Sequence, residues 1–404
     1  MQLTEWRPSP SGPVSLAVRR VLEQTFQAKI SAGTGPDEYI VRPEGVVGSV
    51  EVGNEHLTVR PKIDIDRVLF MVAYANDPYR WEDQLSSIGR VSSLVDGMAA
   101  LFARACEPLL GRGLLRDYRA VEVDDRVVRG KVRWGVQARR YVPVPMALRH
   151  HVHDDDITEN QVLRAACQVL RRGTLCAAAS RDIARLWSVL RDLSALPHGA
   201  GSVDNLVWTR RNLHYRPAIE LAKVILQGEM TDVVAGDVPV TGFTLVMHDV
   251  FEQFVRTALR NAWGASETEM PDSWKGKGLV LDHDSVVPLN PDLGWTSGGA
   301  WRFVGDVKYK KDERGKGQSA DLYQALAYSV ATGLPKATLI YGDGGDDRDH
   351  AVCHVGKVVR IRHLNLAQPP GRLLAQLRGI AASAVLTPAD PAVSIATSGR
   401  AVPA

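Results

Sequence analysis

Two aspartates and a lysine in the last third of the chain have the residue types and spacing that phosphodiester hydrolysis needs. Asp292 is expected to close one strand, a Gly-rich turn then reverses the chain, and Asp306 and Lys308 follow on the returning strand. Side chains two positions apart on a strand face the same side, so Asp306 and Lys308 project together while Val307 faces the opposite layer. The hairpin would bring two carboxylates and an ammonium group to one place.

That combination suits catalysis with Mg²⁺, for which Mn²⁺ could substitute. Carboxylate oxygens of Asp292 and Asp306 would hold the cation, which polarises a phosphoryl oxygen and lowers the pKa of bound water. The ammonium group of Lys308 would stabilise the charge that develops on the phosphate and could orient the attacking water. The alternative is an ordinary ion pair on a surface hairpin, because short patterns of Asp and Lys are common by chance.

A predicted helix after this hairpin adds an amide and a phenol. The segment after Ser319 has helical spacing, and we expect the helix to bury three apolar residues, Leu322, Leu326 and Val330. Gln324 and Tyr328 are four positions apart and therefore share one helix face. They could position a metal-bound water or a DNA phosphate; alternatively, they form a helix rim packed on the sheet.

A second predicted helix, residues 248–263, precedes the hairpin. Its apolar stripe consists of Phe251, Phe254, Val255, Ala258 and Leu259. Glu252 lies at the edge of this stripe and could supply a third carboxylate to the metal; the alternative is solvent exposure, the usual state of Glu. Beyond the hairpin, Lys310 and Lys311 adjoin Lys308 and are predicted to contact DNA phosphates, although charge runs are usually just solvated.

The tract HHVHDDD, residues 150–156, has the composition of a metal site but not its expected geometry. Consecutive residues of a loop seldom converge on one ion. The tract also precedes a helix that we expect to begin near Thr158, where acidic residues favour the positive helix end. We therefore predict a solvated loop here.

Composition limits the classes of protein to consider. The 404 residues, 45% hydrophobic and 24% charged, are enough for two or three packed domains. A net charge of only +3 argues against coating nucleic acid by bulk charge, so any DNA contact should be local. The four cysteines form no CxxC pair, and no stretch has the length and apolar content of a membrane span. We expect a cytoplasmic protein without a zinc site, a disulfide framework or a membrane segment.

Periodicity predicts an α+β N-terminal region followed by an α/β domain with a mixed central sheet flanked by helices. We assign residues 1–200 to an N-terminal region with a β-rich start followed by helices, and 201–240 to a connecting segment. The domain that carries the chemistry spans 241–365, with strands predicted at 278–288, 300–310 and 336–342. Residues 366–404 should form a C-terminal helix and a flexible tail.

The residues singled out above, taken in order, resemble the motifs of the PD-(D/E)xK nuclease superfamily. They are Glu252, Pro291-Asp292, Asp306-Val307-Lys308 and Gln324-x-x-x-Tyr328. More narrowly, the segments FEQFV, NPD, GDVKYK and DLYQALAY are similar to those of the McrC family, the nuclease subunits of McrBC-type modified-cytosine restriction systems. Upstream, LTVRPKID, GRGLLRDY, RGKVRW and ITENQVLRAA also match the McrC pattern, so the resemblance spans most of the chain.

The resemblance implies a restriction-endonuclease-like domain and a hetero-oligomeric DNA endonuclease. The N-terminal region would dock on an AAA+ GTPase of the McrB type and stimulate it, and the C-terminal domain would cut DNA carrying 5-methylcytosine. The chain has no GxxxxGK[ST] phosphate loop, so it is not itself the motor. Two alternatives are a partner-independent repair or recombination nuclease and a non-catalytic scaffold that regulates a motor.

Overall fold

The computed structural model divides the chain into two units, Met1–Val250 and Phe251–Ala404. It describes residues 1–86, 91, 93–196, 203, 206–231, 240–310 and 319–384. The division falls within one helix, Met247–Trp263. The boundaries proposed from the sequence, at 200, 240 and 365, stay a prediction.

The first unit combines three small sheets with a group of helices. Its strands are β1 (Gln2–Thr4), β2 (Gly12–Pro13), β3 (Lys29–Ala32), β4 (Glu38–Arg42), β5 (Val46–Val52), β6 (Glu55–Arg60), β7 (Asp117–Asp125), β8 (Lys131–Val132), β9 (Met146–Asp154), β10 (Glu229–Thr231) and β11 (Val240–Val246). Its α-helices are α1 (Leu16–Gln24), α2 (Ile65–Asn76), α3 (Trp81–Ser86), α4 (Leu94–Arg112), α5 (Trp134–Gln137), α6 (Thr158–Arg172), α7 (Ala177–Leu190) and α8 (Arg216–Gln227). The strand orders are β1-β6-β5-β11-β10, β2-β4-β3 and β7-β9-β8.

Alternating apolar residues build the five-stranded sheet, which contains part of the β-rich start predicted for the N-terminal region. Val46, Val50 and Val52 of β5 are buried, and the strand pairs antiparallel with both β6 and β11. A Cβ atom on Gly242 of β11 would lie 2.4 Å from the Ser49 carbonyl oxygen. Only glycine therefore allows the backbones to approach this closely.

The predicted loop at residues 150–156 is wrong for most of its length. His150 to Asp154 belong to β9, which pairs with β7 in a register that sets His153 opposite Tyr118. Residues 117–121 of β7 and 150–154 of β9 alternate between exposed and half-buried, so pairing with β7 extends the backbone where the polar composition suggested a loop. Asp154 also forms an ion pair with Arg119, at 3.0 Å between Oδ1 and Nε.

The second unit is built on a mixed sheet. Its elements are α9 (Met247–Trp263, which begins in the first unit), β12 (Leu293–Ser297), β13 (Ala300–Lys308), α10 (Ser319–Ala331), β14 (Lys336–Tyr341), β15 (Arg348–Val352), β16 (Lys357–His363) and α11 (Pro370–Ala384). The strand order is β12-β13-β14-β16-β15. The central pairs β13/β14 and β14/β16 are parallel, and the two outer pairs are antiparallel. The predicted mixed α/β layout is confirmed at this level.

The strand predicted at 278–288 is wrong, and with it the placement of Asp292. This segment contains one isolated bridge, Val280 to Pro288, and the carboxylate of Asp282 accepts the backbone N–H groups of Val286 and Val287. A side chain thus takes donors that a strand would give to its neighbour. Asp292 therefore precedes strand β12 rather than closing a strand.

None of the described helices combines the length and the apolar composition that crossing a bilayer would require.

Candidate active site

Strand β13 carries Asp306 and Lys308 to the same side of the sheet, as predicted. Val307, between them, is fully buried on the opposite face. The carboxylate of Asp306 is only 1% exposed and forms an ion pair through Oδ2 with the Lys308 ammonium group. This buried ion pair differs from the ordinary ion pair on a surface hairpin that was the alternative, because both groups have lost most of their water.

The turn after Ser297 brings Asp292 to the same place. Leu293 of β12 pairs with Gly305 of β13, so Asp292 lies beside the end of β13 that carries Asp306. Its Oδ2 accepts the backbone N–H of Val307 at 3.0 Å. The hairpin formed by β12 and β13, in place of one with the predicted strand 278–288, therefore brings Asp292 and Asp306 together.

Two buried side chains hold the segment before β12 in position. The Tyr328 hydroxyl donates to the carbonyl oxygen of Asn290 at 3.0 Å, and the Arg256 guanidinium donates to that of Asp292 at 3.2 Å. Both side chains are almost fully buried. The Asp292 carboxylate is thus positioned by its own hydrogen bond and by two anchors on neighbouring helices.

Helix α10 places Gln324 and Tyr328 on one face, next to Lys308. Lys308 Nζ donates to Gln324 Oε1 at 3.3 Å, and Gln324 Nε2 donates to the Tyr328 hydroxyl at 2.8 Å. The expected burial of Val330 is wrong, because its side chain is 50% exposed while Tyr328 is buried. The helix is rotated relative to the prediction, so that the face with Gln324 and Tyr328 lies toward the sheet and Val330 lies toward solvent.

We expect Tyr328→Phe to lower the free energy of unfolding by about 1–3 kcal/mol, since it removes two hydrogen bonds of the hydroxyl, one donated to the Asn290 carbonyl and one accepted from Gln324. Urea unfolding followed by circular dichroism measures this effect. Tyr323→Phe is the matched control, because this tyrosine of the same helix is 72% exposed. The control should shift stability by less than about 0.5 kcal/mol. Equal effects of the two changes would contradict the anchoring role.

The pKa of Asp306 reflects the competition of burial with charge. Burial, followed by the nearby carboxylate of Asp292, raises the pKa of Asp306 to about 7, although Lys308 opposes the shift. Burial alone would lower the pKa of Lys308, but the attraction of Asp306 and Asp292 outweighs it and raises that pKa. Near neutral pH, Lys308 is therefore charged while Asp306 readily gains or loses a proton.

The site has the donors that a hard cation needs. Asp306 Oδ1 is buried and accepts no hydrogen bond from any residue that the structure describes. A buried carboxylate oxygen in this state is costly, and coordination by a cation would offset the cost. Asp292 adds a second carboxylate, and oxygen ligands of this kind suit Mg²⁺ and Mn²⁺.

Glu252 is half-buried on α9 and forms an ion pair with Arg256 one turn later. Because Arg256 also donates to the Asp292 carbonyl, its guanidinium links Glu252 to the site. The apolar stripe predicted for this helix, from Phe251 to Leu259, is confirmed as buried. Sequence reasoning missed Arg256, although its spacing of four residues from Glu252 was an available signal.

Lys310 is held inside the unit by a second ion pair. Its Nζ lies 2.9 Å from Asp321, a buried residue of α10 that also accepts the Tyr341 hydroxyl at 2.6 Å. Sequence reasoning did not single out Asp321, which resembled an ordinary first-turn acid of a helix. Contact of Lys310 with DNA stays a prediction, and Lys311 lies outside the described residues.

A family model described as "McrBC 5-methylcytosine restriction system component" matches residues 41–342. Among solved structures, the chain is similar to one from an assembly of Thermococcus gammatolerans McrB AAA+ hexamers with bound McrC. That match has 14% identity, a TM-score of 0.55, and covers 95% of this chain and 99% of the other. A chain of the T. gammatolerans McrBC complex matches with 18% identity and a TM-score of 0.42, over 65% of this chain and 88% of the other. No curated protein matches.

Proposed function

The chain belongs to the family of McrBC 5-methylcytosine restriction system components, and from this premise we propose that it is an McrC-type DNA endonuclease subunit. The observation that carries the proposal is the buried cluster of Asp292, Asp306 and Lys308. Within a family of restriction components, such a cluster is best explained by phosphodiester hydrolysis, because a buried carboxylate with an unsatisfied oxygen has no structural benefit of its own.

The topology of the second unit supports a restriction-endonuclease-like fold of the PD-(D/E)xK type. Helix α9 precedes an antiparallel hairpin, and α10 then connects β13 to the parallel strand β14. Asp292 lies before the first hairpin strand and Asp306 and Lys308 near the end of the second. The order of motifs and elements agrees with the resemblance stated from the sequence.

Asp292 and Asp306 would hold Mg²⁺, and Glu252 could join them by exchanging Arg256 for the cation. When bound, the cation polarises the phosphodiester and lowers the pKa of a water molecule. Lys308 remains protonated, so it would donate to a phosphoryl oxygen or to the attacking water rather than accept a proton. Gln324 orients the Lys308 ammonium group, and Tyr328 acts through Gln324 and Asn290.

The raised pKa of Asp306 predicts pH-dependent metal binding. Below about pH 7 the cation must displace a proton from Asp306, so we expect Mg²⁺ affinity to fall about tenfold per pH unit there. Above that pH the carboxylate is already ionised, and the affinity should level off. Isothermal titration calorimetry in buffers of different ionisation enthalpy measures both the affinity and the protons released. An affinity that is constant between about pH 5.5 and 7 would contradict the prediction.

We also propose that the chain works with an AAA+ GTPase of the McrB type, docks on it through the N-terminal region and stimulates its GTP hydrolysis. The family membership supports this partner, as does the similarity of fold to a chain from an assembly of McrB hexamers with bound McrC. The test is co-purification with a candidate GTPase, followed by GTP hydrolysis with and without the chain. The partnership would be refuted if an McrB-type GTPase encoded beside this gene neither formed a complex with the chain nor hydrolysed GTP faster in its presence.

Two rival functions make different predictions. A partner-independent repair nuclease would cut DNA with Mg²⁺ at full rate without any GTPase. A regulatory scaffold would stimulate the GTPase, but no DNA would be cut, and Asp306→Asn would change nothing beyond metal binding. Our proposal requires that cutting depend on both the GTPase and Asp306.

A further inference from the structure

An open cleft of about 340 Å³ lies on the first unit, between helices α6 and α7. Three arginines, a glutamine and a tryptophan line it: Arg164, Gln168, Arg171, Arg172 and Trp187. The first four lie on α6 at spacings of four, seven and eight positions from Arg164 and therefore share one face of that helix. No carboxylate is among the lining residues, so the cleft is electropositive.

Trp187 of α7 holds two of the arginines in place. The guanidinium carbon of Arg171 lies 4.3 Å from the centre of the indole ring, and that of Arg164 lies 5.4 Å from it. Stacking on an aromatic face uses the plane of a guanidinium and leaves its N–H edge free to donate. The indole thus preorganises two fork-shaped donors beside the same small space.

Within the residues that the structure describes, Arg164 and Arg171 use little of their hydrogen-bonding capacity. Arg164 Nε is buried and donates to no residue that the structure describes. Its Nη1 reaches Gln168 Oε1 only at 3.5 Å, the outer limit of a hydrogen bond. Arg172 pairs with Glu229 at 3.0 Å, but within the described part of the chain no carboxylate lies within ion-pair distance of Arg164 or Arg171. Arg164 is half-buried and Arg171 is exposed, so the buried Nε of Arg164 would gain an acceptor from a bound anion that Arg171 can reach from the solvent side.

We propose that this arginine–tryptophan cleft binds a phosphate group of the DNA backbone. Paired guanidinium forks match the oxygens of a phosphodiester. With several positive charges converging on one space, a phosphate is a better ligand than a carboxylate. The choice of DNA rests on the proposed function, since a restriction nuclease must hold DNA. Contacts of this kind position a duplex without reading its sequence.

The test is the binding of a fluorescently labelled DNA duplex to the full chain, with EDTA present so that no cleavage occurs. We expect Arg164→Gln/Arg171→Gln to weaken binding about tenfold. The slope of log affinity against log salt should fall by about 0.9, because the variant would neutralise one phosphate fewer. The control Arg181→Gln/Arg191→Gln removes the same charge from exposed arginines at α7, outside the cleft. Its slope should change by less than half as much.

Equal weakening in the two double variants, or none in the cleft variant, would overturn the proposal. Circular dichroism checks that both variants fold, and Arg164→Lys/Arg171→Lys should bind DNA with intermediate affinity because it keeps charge but not the forks. A second arm titrates GTP: if the cleft variant loses GTP binding but keeps DNA binding, the phosphate comes from a nucleotide and the DNA assignment fails. If the cleft variant lost only its binding to an acidic protein partner, the assignment of DNA as the ligand of the cleft would likewise be refuted.

Failure here is distinguishable from failure of the nuclease proposal. The cleft variant keeps Asp292, Asp306 and Lys308, so its effect appears as weaker DNA binding without metal. Asp306→Asn should instead leave this metal-free binding intact or slightly stronger, because a buried acidic group has been removed. Wild-type DNA affinity in the cleft variant, together with loss of cleavage in Asp306→Asn, would overturn only the cleft.

Discussion

Asp306→Asn is expected to lower DNA cleavage by the assembled complex by about 10³-fold or more, while stimulation of the GTPase is retained. Asparagine keeps the size of the side chain and fits the buried position on β13. It cannot carry the negative charge that holds a divalent cation, and it leaves Lys308 without its main counter-ion. Initial rates of plasmid linearisation at saturating Mg²⁺ measure the effect, and GTP hydrolysis measured in the same samples reports assembly.

Asp284→Asn provides the matched control, because Asp284 is an exposed residue of the loop before β12. The same chemical change there should leave the cleavage rate within about twofold of the wild-type rate. If Asp306→Asn cut DNA as fast as Asp284→Asn, the cluster would not be the catalytic site. Loss of GTPase stimulation in Asp306→Asn would mean that the variant is misfolded, and Asp292→Asn would then provide the second test of the site.

Lys308→Met should have the second largest effect, a fall of about 10²–10³-fold in the cleavage rate. Methionine keeps the apolar stem but removes the ammonium group that touches Asp306 and Gln324. Loss of this cation should also raise the pKa of Asp306 further and weaken Mg²⁺ binding at neutral pH. Rates are therefore compared at saturating Mg²⁺ and at a pH above about 8, where the remaining deficit reports catalysis rather than metal affinity.

Lys277→Met is the control for this change, because Lys277 is exposed in the loop before the hairpin. We expect it to cut DNA at the wild-type rate. Lys308→Arg should recover only part of the activity, since the wider guanidinium must fit beside a buried carboxylate and the Gln324 amide. Full recovery of the Lys308→Met rate at high Mg²⁺ would show that Lys308 serves metal binding alone.

The pairing of Asp306 with Lys308 could be predicted from the sequence because it depends only on the alternation of side chains along a strand. Residues two apart face the same way whatever surrounds them, which unites Asp306 and Lys308, and a Gly-rich turn of limited length returns Asp292 to them. The face shared by Gln324 and Tyr328 follows in the same way from helical spacing. These features depend on neighbours within the segment and not on the rest of the fold.

The features that could not be predicted depend on partners distant in sequence. Tyr328 bonds to Asn290, and Arg256 bonds to Asp292, over separations of 38 and 36 positions. The hydrogen bonds of Tyr328 to Asn290 and to Gln324 are consistent with the polar face of α10, and not Val330, facing the sheet. The local polarity of residues 150–154 likewise predicted a loop, whereas pairing with β7 decided the outcome.

We propose that this chain cuts DNA with a site formed by Asp292, Asp306 and Lys308, under the control of a GTPase. The most direct test is cleavage of plasmid DNA containing 5-methylcytosine by wild type and Asp306→Asn, each with Mg²⁺ and with or without the GTPase and GTP. We predict cutting by wild type only when both GTPase and GTP are present, and none by Asp306→Asn. Equal cutting by the two proteins, or full cutting by wild type alone, would contradict the account.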